Sequence, residues 1–131
     1  MSNEFRGSGN VADRPVLKTV QVGAEQRQVA QLRVFFDDYR RDGEGGLEQA
    51  GGFWLDVNVW GERHATEVTQ HLARGARVHV IGRLTEHRWT VTATGEERHA
   101  LYLNAERLYL GLSRLSSVEY QPRREALRPG A

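Results

Sequence analysis

The segment GGFWLDVNVWG, residues 51–61, alternates apolar and other side chains with period two. That period belongs to a strand, whose successive side chains point to opposite faces. Phe53, Leu55, Val57 and Val59 then form one apolar face, while Trp54, Asp56, Asn58 and Trp60 share the other. Two tryptophans on a polar face need a reason. Either the rings pack under loops, a helix or a second subunit, or they wait for a ligand outside. The pattern recurs in VAQLRVFFDDY, residues 29–39. There Ala30, Leu32, Val34 and Phe36 share one face, and Gln31, Arg33, Phe35, Asp37 and Tyr39 share the other.

Glycine-containing turns separate such short runs along the chain, which is the punctuation of an all-β protein. VLKTVQV, residues 16–22, precedes a GAEQRQ turn, and a short strand is possible at the N-terminus. RRDGEGGLEQAGG, residues 40–52, reads as a long flexible hairpin loop. ERHATEVTQHLARG holds the one helical stretch, with Ala65, Val68, Thr69 and Leu72 at helical spacing and Gly75 placed to stop it. RVHVIGRL, residues 77–84, is a strand with a bend or bulge at Gly82. Residues 86–110 then form a hairpin turning near Gly95, or a strand, turn and final strand. The order predicts a five-stranded Greek-key OB-fold barrel with one short helix between strands three and four. The domain should span residues 1–112, followed by a polar, proline-containing and disordered tail over 113–131.

Composition excludes several chemistries. Cysteine is absent from the 131 residues, which removes disulfides, thiol nucleophiles and Cys-based zinc sites. The five histidines have no metal-ligand spacing, and no Walker-type loop or nucleophile elbow occurs. The paired carboxylates Asp37/Asp38 and Glu96/Glu97 are sequence neighbours, so on strands they face opposite ways and cannot cooperate as acid and base. The reading is of a non-enzyme with no cofactor and no metal. No apolar run is long enough to span a membrane, and MSNEFRGSGNVADRP lacks the apolar stretch of a signal peptide. A cytoplasmic protein is expected.

The aromatics point to a different chemistry. Bases stack on exposed rings at about 1–3 kcal/mol each while basic residues follow the phosphates. Trp54 and Trp60 lie roughly 20 Å apart at about 3.3 Å per residue. Rings so spaced cannot serve one small ligand, but they can serve several nucleotides of an extended strand. Trp89 beside Arg88, and Tyr39 beside Arg40 and Arg41, supply further rings. The net charge is only +1, and Lys18 is the sole lysine, so the cations are arginines. Their planar fork suits phosphate.

GNVADRP, VAQLRVFF, FWLDVNVWGERHATEVTQHLARGARVHVIGRL and HRWT occur in that order. Together they resemble the bacterial single-stranded DNA-binding protein family, from about Gly9 to Leu112. The resemblance implies an OB-fold that wraps single-stranded DNA without catalysis and assembles as a homo-oligomer, a dimer or tetramer. It implies work in DNA replication, recombination or repair, with proteins of those processes as partners. It places stacking roles on Trp54, Trp60 and Trp89, and on Tyr39 within a residue. Phe35 is a further candidate ring, and phosphate contacts would come from Arg33, Arg40, Arg41, Arg74, Arg77, Arg83 and Arg88. Three departures accompany the likeness. The family's first long strand should precede Gly9, where only MSNEFRGS stands; Glu62 replaces a basic residue; and the chain ends in the basic RREALRPGA rather than an acidic tip. The last suggests a specialised paralogue, of the kind a mobile element would carry. A primosomal OB-fold accessory and a protein–protein scaffold without DNA binding are the alternatives.

Overall fold

Strand alternation carries further than the sequence pattern suggests. The computed structural model of the chain describes residues 3–123. Its elements are β1 (Phe5–Val11), β2 (Val16–Val22), β3 (Glu25–Arg41), β4 (Leu47–Trp60), α1 (Glu62–His71), β5 (Arg77–Thr90) and β6 (Glu97–Leu110). A single 3-10 turn, Leu112–Arg114, follows. The strands close on themselves. β1 pairs antiparallel with both β3 and β5, β5 with β6, and β4 with β3. A short parallel contact of Asp56, Val57 and Asn58 with Tyr102, Leu103 and Asn104 joins β4 to β6 and completes the ring. β2 adds to the edge of β3 alone.

The inward side chains fill this ring. Val34, Val57, Val78, Val80 and Leu103 are fully shielded from solvent, with Ala30, Leu32, Phe36, Leu55 and Val59 around them. Each fully buried Val or Leu contributes about 1.5–3 kcal/mol. The helix adds Ala65 and Val68 to the same core, and Leu72 follows them. Gly61, at φ 105°, turns the chain from β4 into the helix and accepts the Ala65 N–H at 2.8 Å.

The architecture is all-β with one helix, as expected, but it differs from the sequence reading in four places. Among the described residues there are six strands rather than five, because the N-terminal strand that the sequence left open, FRGSGNV, is formed. Its pattern is concealed by Gly7 and Gly9, where a Cβ on Gly9 would run into the Phe35 carbonyl. The segment 40–52 is not an open loop: β3 continues through Arg41, β4 begins at Leu47, and only residues 42–46 turn. Asp42 closes that turn, its Oδ1 accepting the N–H groups of Glu44 at 2.9 Å and Gly46 at 2.8 Å. The helix ends at His71, before Gly75, with Leu72 already extended. Finally, residues 77–90 form one continuous strand whose register slips between Ile81 and Gly82. The expected bulge at Gly82 is present. The turn near Gly95 is also present, at φ 69°. Of the predicted tail, Ser113 and Arg114 belong to the 3-10 turn and residues 116–123 have no helix or strand. Residues 124–131 lie outside the described residues.

Candidate nucleic-acid interface

Because β3, β4, β6 and β5 are neighbours in that order, their outward side chains form one continuous surface. β3 contributes Gln31, Arg33 and Phe35, and β4 contributes Trp54, Asp56, Asn58 and Trp60. β6 adds Tyr102 and Asn104. Beyond the bulge, β5 adds Arg83, Thr85, His87 and Trp89. Register sets the local pairs: Phe35 stands opposite Trp54, Arg33 opposite Asp56, and Gln31 opposite Asn58.

The tryptophans are on the outside. Trp54 is 47% exposed, Trp60 37% and Trp89 41%. Each is nevertheless held on one side. Trp54 leans on Phe35 with ring centres 5.0 Å apart, and the Arg33 guanidinium lies 5.3 Å from its ring centre. Trp60 donates its indole N–H to Asn104 Oδ1 at 3.1 Å. Trp89 stacks on His87, ring centres 5.3 Å apart and planes 19° from parallel. Rings fixed in this way lose little freedom when a base stacks on them, which is how rigid aromatics gain affinity.

The candidate arginines divide into four groups. Arg33 and Arg83 lie on the aromatic face, each in an exposed ion pair at 3.3 Å, with Asp56 and Glu106 respectively. Arg40 pairs with Glu48 and Arg88 with Glu86 on the two projecting hairpins. Exposed pairs of this kind are worth about 0–1 kcal/mol, so a phosphate can take the arginine from its carboxylate. Strand parity puts Arg88 on the opposite face of its hairpin from Trp89. Arg41, at the end of β3, and Arg74, in the loop after α1, form no ion pair among the described residues.

Arg77 is different. Its Nη1 donates to Asp37 Oδ2 at 2.6 Å, and the Asp37 side chain is 2% exposed. The hydrogen bond to Asp37 raises the Arg77 pKa above its ordinary value, against the opposing effect of burial. Arg77 also reaches Asn10 Oδ1 at 3.4 Å, so the pair ties β3 to β5 across β1. Asp37 Oδ2 accepts the Tyr39 hydroxyl at 3.5 Å, and Asp37 Oδ1 has no hydrogen-bond partner. Tyr39, 51% exposed, thus sits over this pair, beyond the register slip between Asp38 and itself. The register sets Arg77 beside Asn10, which in turn stands beside Phe35, so Arg77 lies at the margin of the aromatic face and is held there by an internal partner.

Between the β1–β2 loop and the β5–β6 hairpin the face deepens into a groove of about 510 Å3. Arg33 and Trp89 line it together with Asp13, Arg14, Gln31, Asp56, Asn58, His87 and Tyr102. Alternation in the sequence had put Gln31, Asp56 and Asn58 on this face without giving them a role, and it had not placed Asp13, Arg14, His87 or Tyr102 here. Tyr102 and Asn104 were legible in the alternation of LYLNA, whereas Asp13 and Arg14 reach the groove only through the path of the β1–β2 loop.

A small closed ring of strands with an aromatic and polar groove on its outer wall is an oligonucleotide-binding type of fold. The chain belongs to the single-strand binding protein family, whose model matches residues 3–110. It is 29% identical over 92 residues to a single-stranded DNA-binding protein of Rhizobium meliloti (strain 1021), an alignment covering 70% of this chain and 51% of that protein. The chain therefore spans about half the length of that curated relative. Among solved structures, the small single-stranded DNA-binding protein from Streptomyces coelicolor superposes with TM-score 0.69 at 21% identity, covering 87% of this chain and 98% of that one. The Plasmodium falciparum SSB complex with ssDNA gives TM-score 0.66 at 19% identity, with coverages of 84% and 95%. At these identities the likeness is one of fold.

Proposed function

We propose that this chain binds single-stranded DNA without catalysis, stacking bases on Trp54, Trp60 and Trp89, with Phe35 and Tyr39 at the margins. The observation that carries the reading is three tryptophans exposed and braced on one continuous face. Arg33 and Arg83 supply phosphate contacts on that face, and Arg40, Arg41, Arg74 and Arg88 supply them from its surroundings. Family membership supports the same partner. Stacking accepts any base, so binding is largely sequence-tolerant and strongly salt-dependent. The protein acts as a homo-oligomer, a dimer or tetramer, in the cytoplasm during replication, recombination or repair. Its folded domain ends near Leu112, and the described residues beyond it, to 123, are an appendage to that domain. Among the described residues no helix is long and apolar enough to cross a membrane.

Tryptophan fluorescence tests the reading directly. Titration with a thymine oligonucleotide should quench the emission, and duplex DNA of equal length should bind more weakly. Absence of quenching, or equal affinity for the duplex, rules it out.

A further inference from the structure

The groove floor contains a group that stacking does not need. Asp56 stands two residues from Trp54 on the same face of β4, about 7 Å along the strand. Its side chain is 65% exposed. A carboxylate there repels the phosphates of any strand laid across the face. It also engages Arg33, whose Nη1 lies 3.3 Å from Asp56 Oδ1, and so draws on a cation that phosphate would use. The Arg33 pair uses one lone pair of Asp56 Oδ1, and an ionised carboxylate has about four acceptor sites over its two oxygens, so both oxygens can still accept. What Asp56 can do, and the surrounding rings cannot, is accept hydrogen bonds from the N–H groups of a base edge.

Resting on the reading of single-stranded DNA binding above, we propose that Asp56 reads bases, favouring those with amino donors over thymine and favouring guanine most. Carboxylates accept from the amino group of cytosine in duplex recognition, and in a single strand the pairing edges are free for such contacts. Guanine offers a ring N–H and an adjacent amino group, two donors matched to two carboxylate oxygens. Cytosine and adenine offer one amino group each. Thymine offers a single ring N–H flanked by two carbonyls that face the carboxylate unfavourably. Asn58 and Gln31, also lining the groove, carry both donors and acceptors and impose no such bias. A base stacked near Trp54 is thereby selected by charge while its neighbours bind by stacking alone.

The test compares a thymine-only oligonucleotide with one of equal length carrying isolated guanines, at fixed salt, on the wild-type chain and on Asp56→Ala. Wild type should prefer the guanine-containing strand by roughly threefold to tenfold, the effect of one hydrogen bond to an exposed charged group. Asp56→Ala should lose that preference and bind the thymine strand more tightly, since a negative charge is gone. Its melting temperature should stay unchanged because Asp56 is exposed. Equal wild-type affinities for the two strands, or a preference that survives in Asp56→Ala, overturns this inference alone. A wild-type chain that binds neither strand overturns it together with the function it rests on.

Discussion

Replacing Trp54 by alanine separates a ring that serves a ligand from a ring that serves the core. In the folded protein Trp54 is half exposed, and its packing consists of the Phe35 ring at 5.0 Å and the Arg33 guanidinium at 5.3 Å. An aromatic pair contributes about 0.5–1.5 kcal/mol, and an exposed cation–π contact about 0.5–1 kcal/mol. Losing these two contacts should therefore cost the fold about 1–2.5 kcal/mol. The neighbouring Leu55, 6% exposed and inside the ring, sets the contrast, because Leu55→Ala should cost about 2–5 kcal/mol through the reduced burial and the cavity. At about 4 °C per kcal/mol, thermal melts resolve the two variants. The order reverses for DNA. Loss of one stacking platform removes about 1–3 kcal/mol, a Kd weakened roughly 5- to 150-fold. Leu55→Ala, assayed well below its melting point, should bind almost as wild type does. The emission of Trp60 and Trp89 still reports binding in Trp54→Ala. A Trp54→Ala protein that melts as low as Leu55→Ala while keeping its Kd would refute the assignment of the ring to the ligand.

The remaining predictions concern the frame around the face. Arg77→Ala should destabilise the protein by about 3–5 kcal/mol, by stranding the buried Asp37 carboxylate, yet alter Kd little; a large affinity loss in a stable variant would place Arg77 at the DNA after all. The pKa of Arg77 is raised in the fold, so its contribution is present below the unfolded-state value and lost only as pH rises past the folded one. Both values lie above the working range, and wild-type urea melts should show no loss attributable to Arg77 between about pH 6 and 10. Gly82→Ala should lower the melting temperature, because a Cβ there would meet the Asn104 carbonyl; an unchanged melt would mean that the β5–β6 register can shift to admit it. A chain ending at Leu115, which keeps the 3-10 turn whose Leu115 N–H bonds to the Leu112 carbonyl at 3.1 Å, should melt as the full chain does. Without Arg123, Arg124 and Arg128, its salt dependence of DNA binding should flatten by about 0.7 for each phosphate that the missing arginines would have neutralised, and tighter binding by the shorter chain would contradict this.

Local periodicity determined what local periodicity can. The two faces of β4 and β3 were readable from residues 53–60 and 30–37, since alternation is imposed by the pleat wherever one side is buried. Their inward positions are apolar and buried as far as the ring extends. Phe53, at the point where β4 leaves the ring, is 46% exposed despite its inward parity. The bulge at Gly82 and the turn at Gly95 were likewise legible, because glycine marks the places where backbone approaches backbone or φ turns positive. Alternation likewise put the rings of Trp54 and Trp60 on the outer face, whereas Trp89 was singled out as a ring beside Arg88 and by the resemblance.

Tertiary structure decided the rest. β1 was obscured because two of its inward positions are glycines, required by the neighbouring Phe5 ring and by the Phe36 ring and Phe35 carbonyl of β3, a strand far along the chain. Residues 40–52 looked like a loop because their hairpin projects beyond the core. Its ladder needs only backbone groups, so nothing forces its side chains to alternate. Arg77 looked like any surface arginine until Asp37, forty residues earlier, came within 2.6 Å of it, and Asp56 acquired its meaning only when the β1–β2 loop and the β5–β6 hairpin closed a groove around it. Sequence pattern records which face a side chain takes, because that depends on the nearest few residues. Which charges meet across the ring depends on how distant strands are brought into register, and that is settled only by the closed fold.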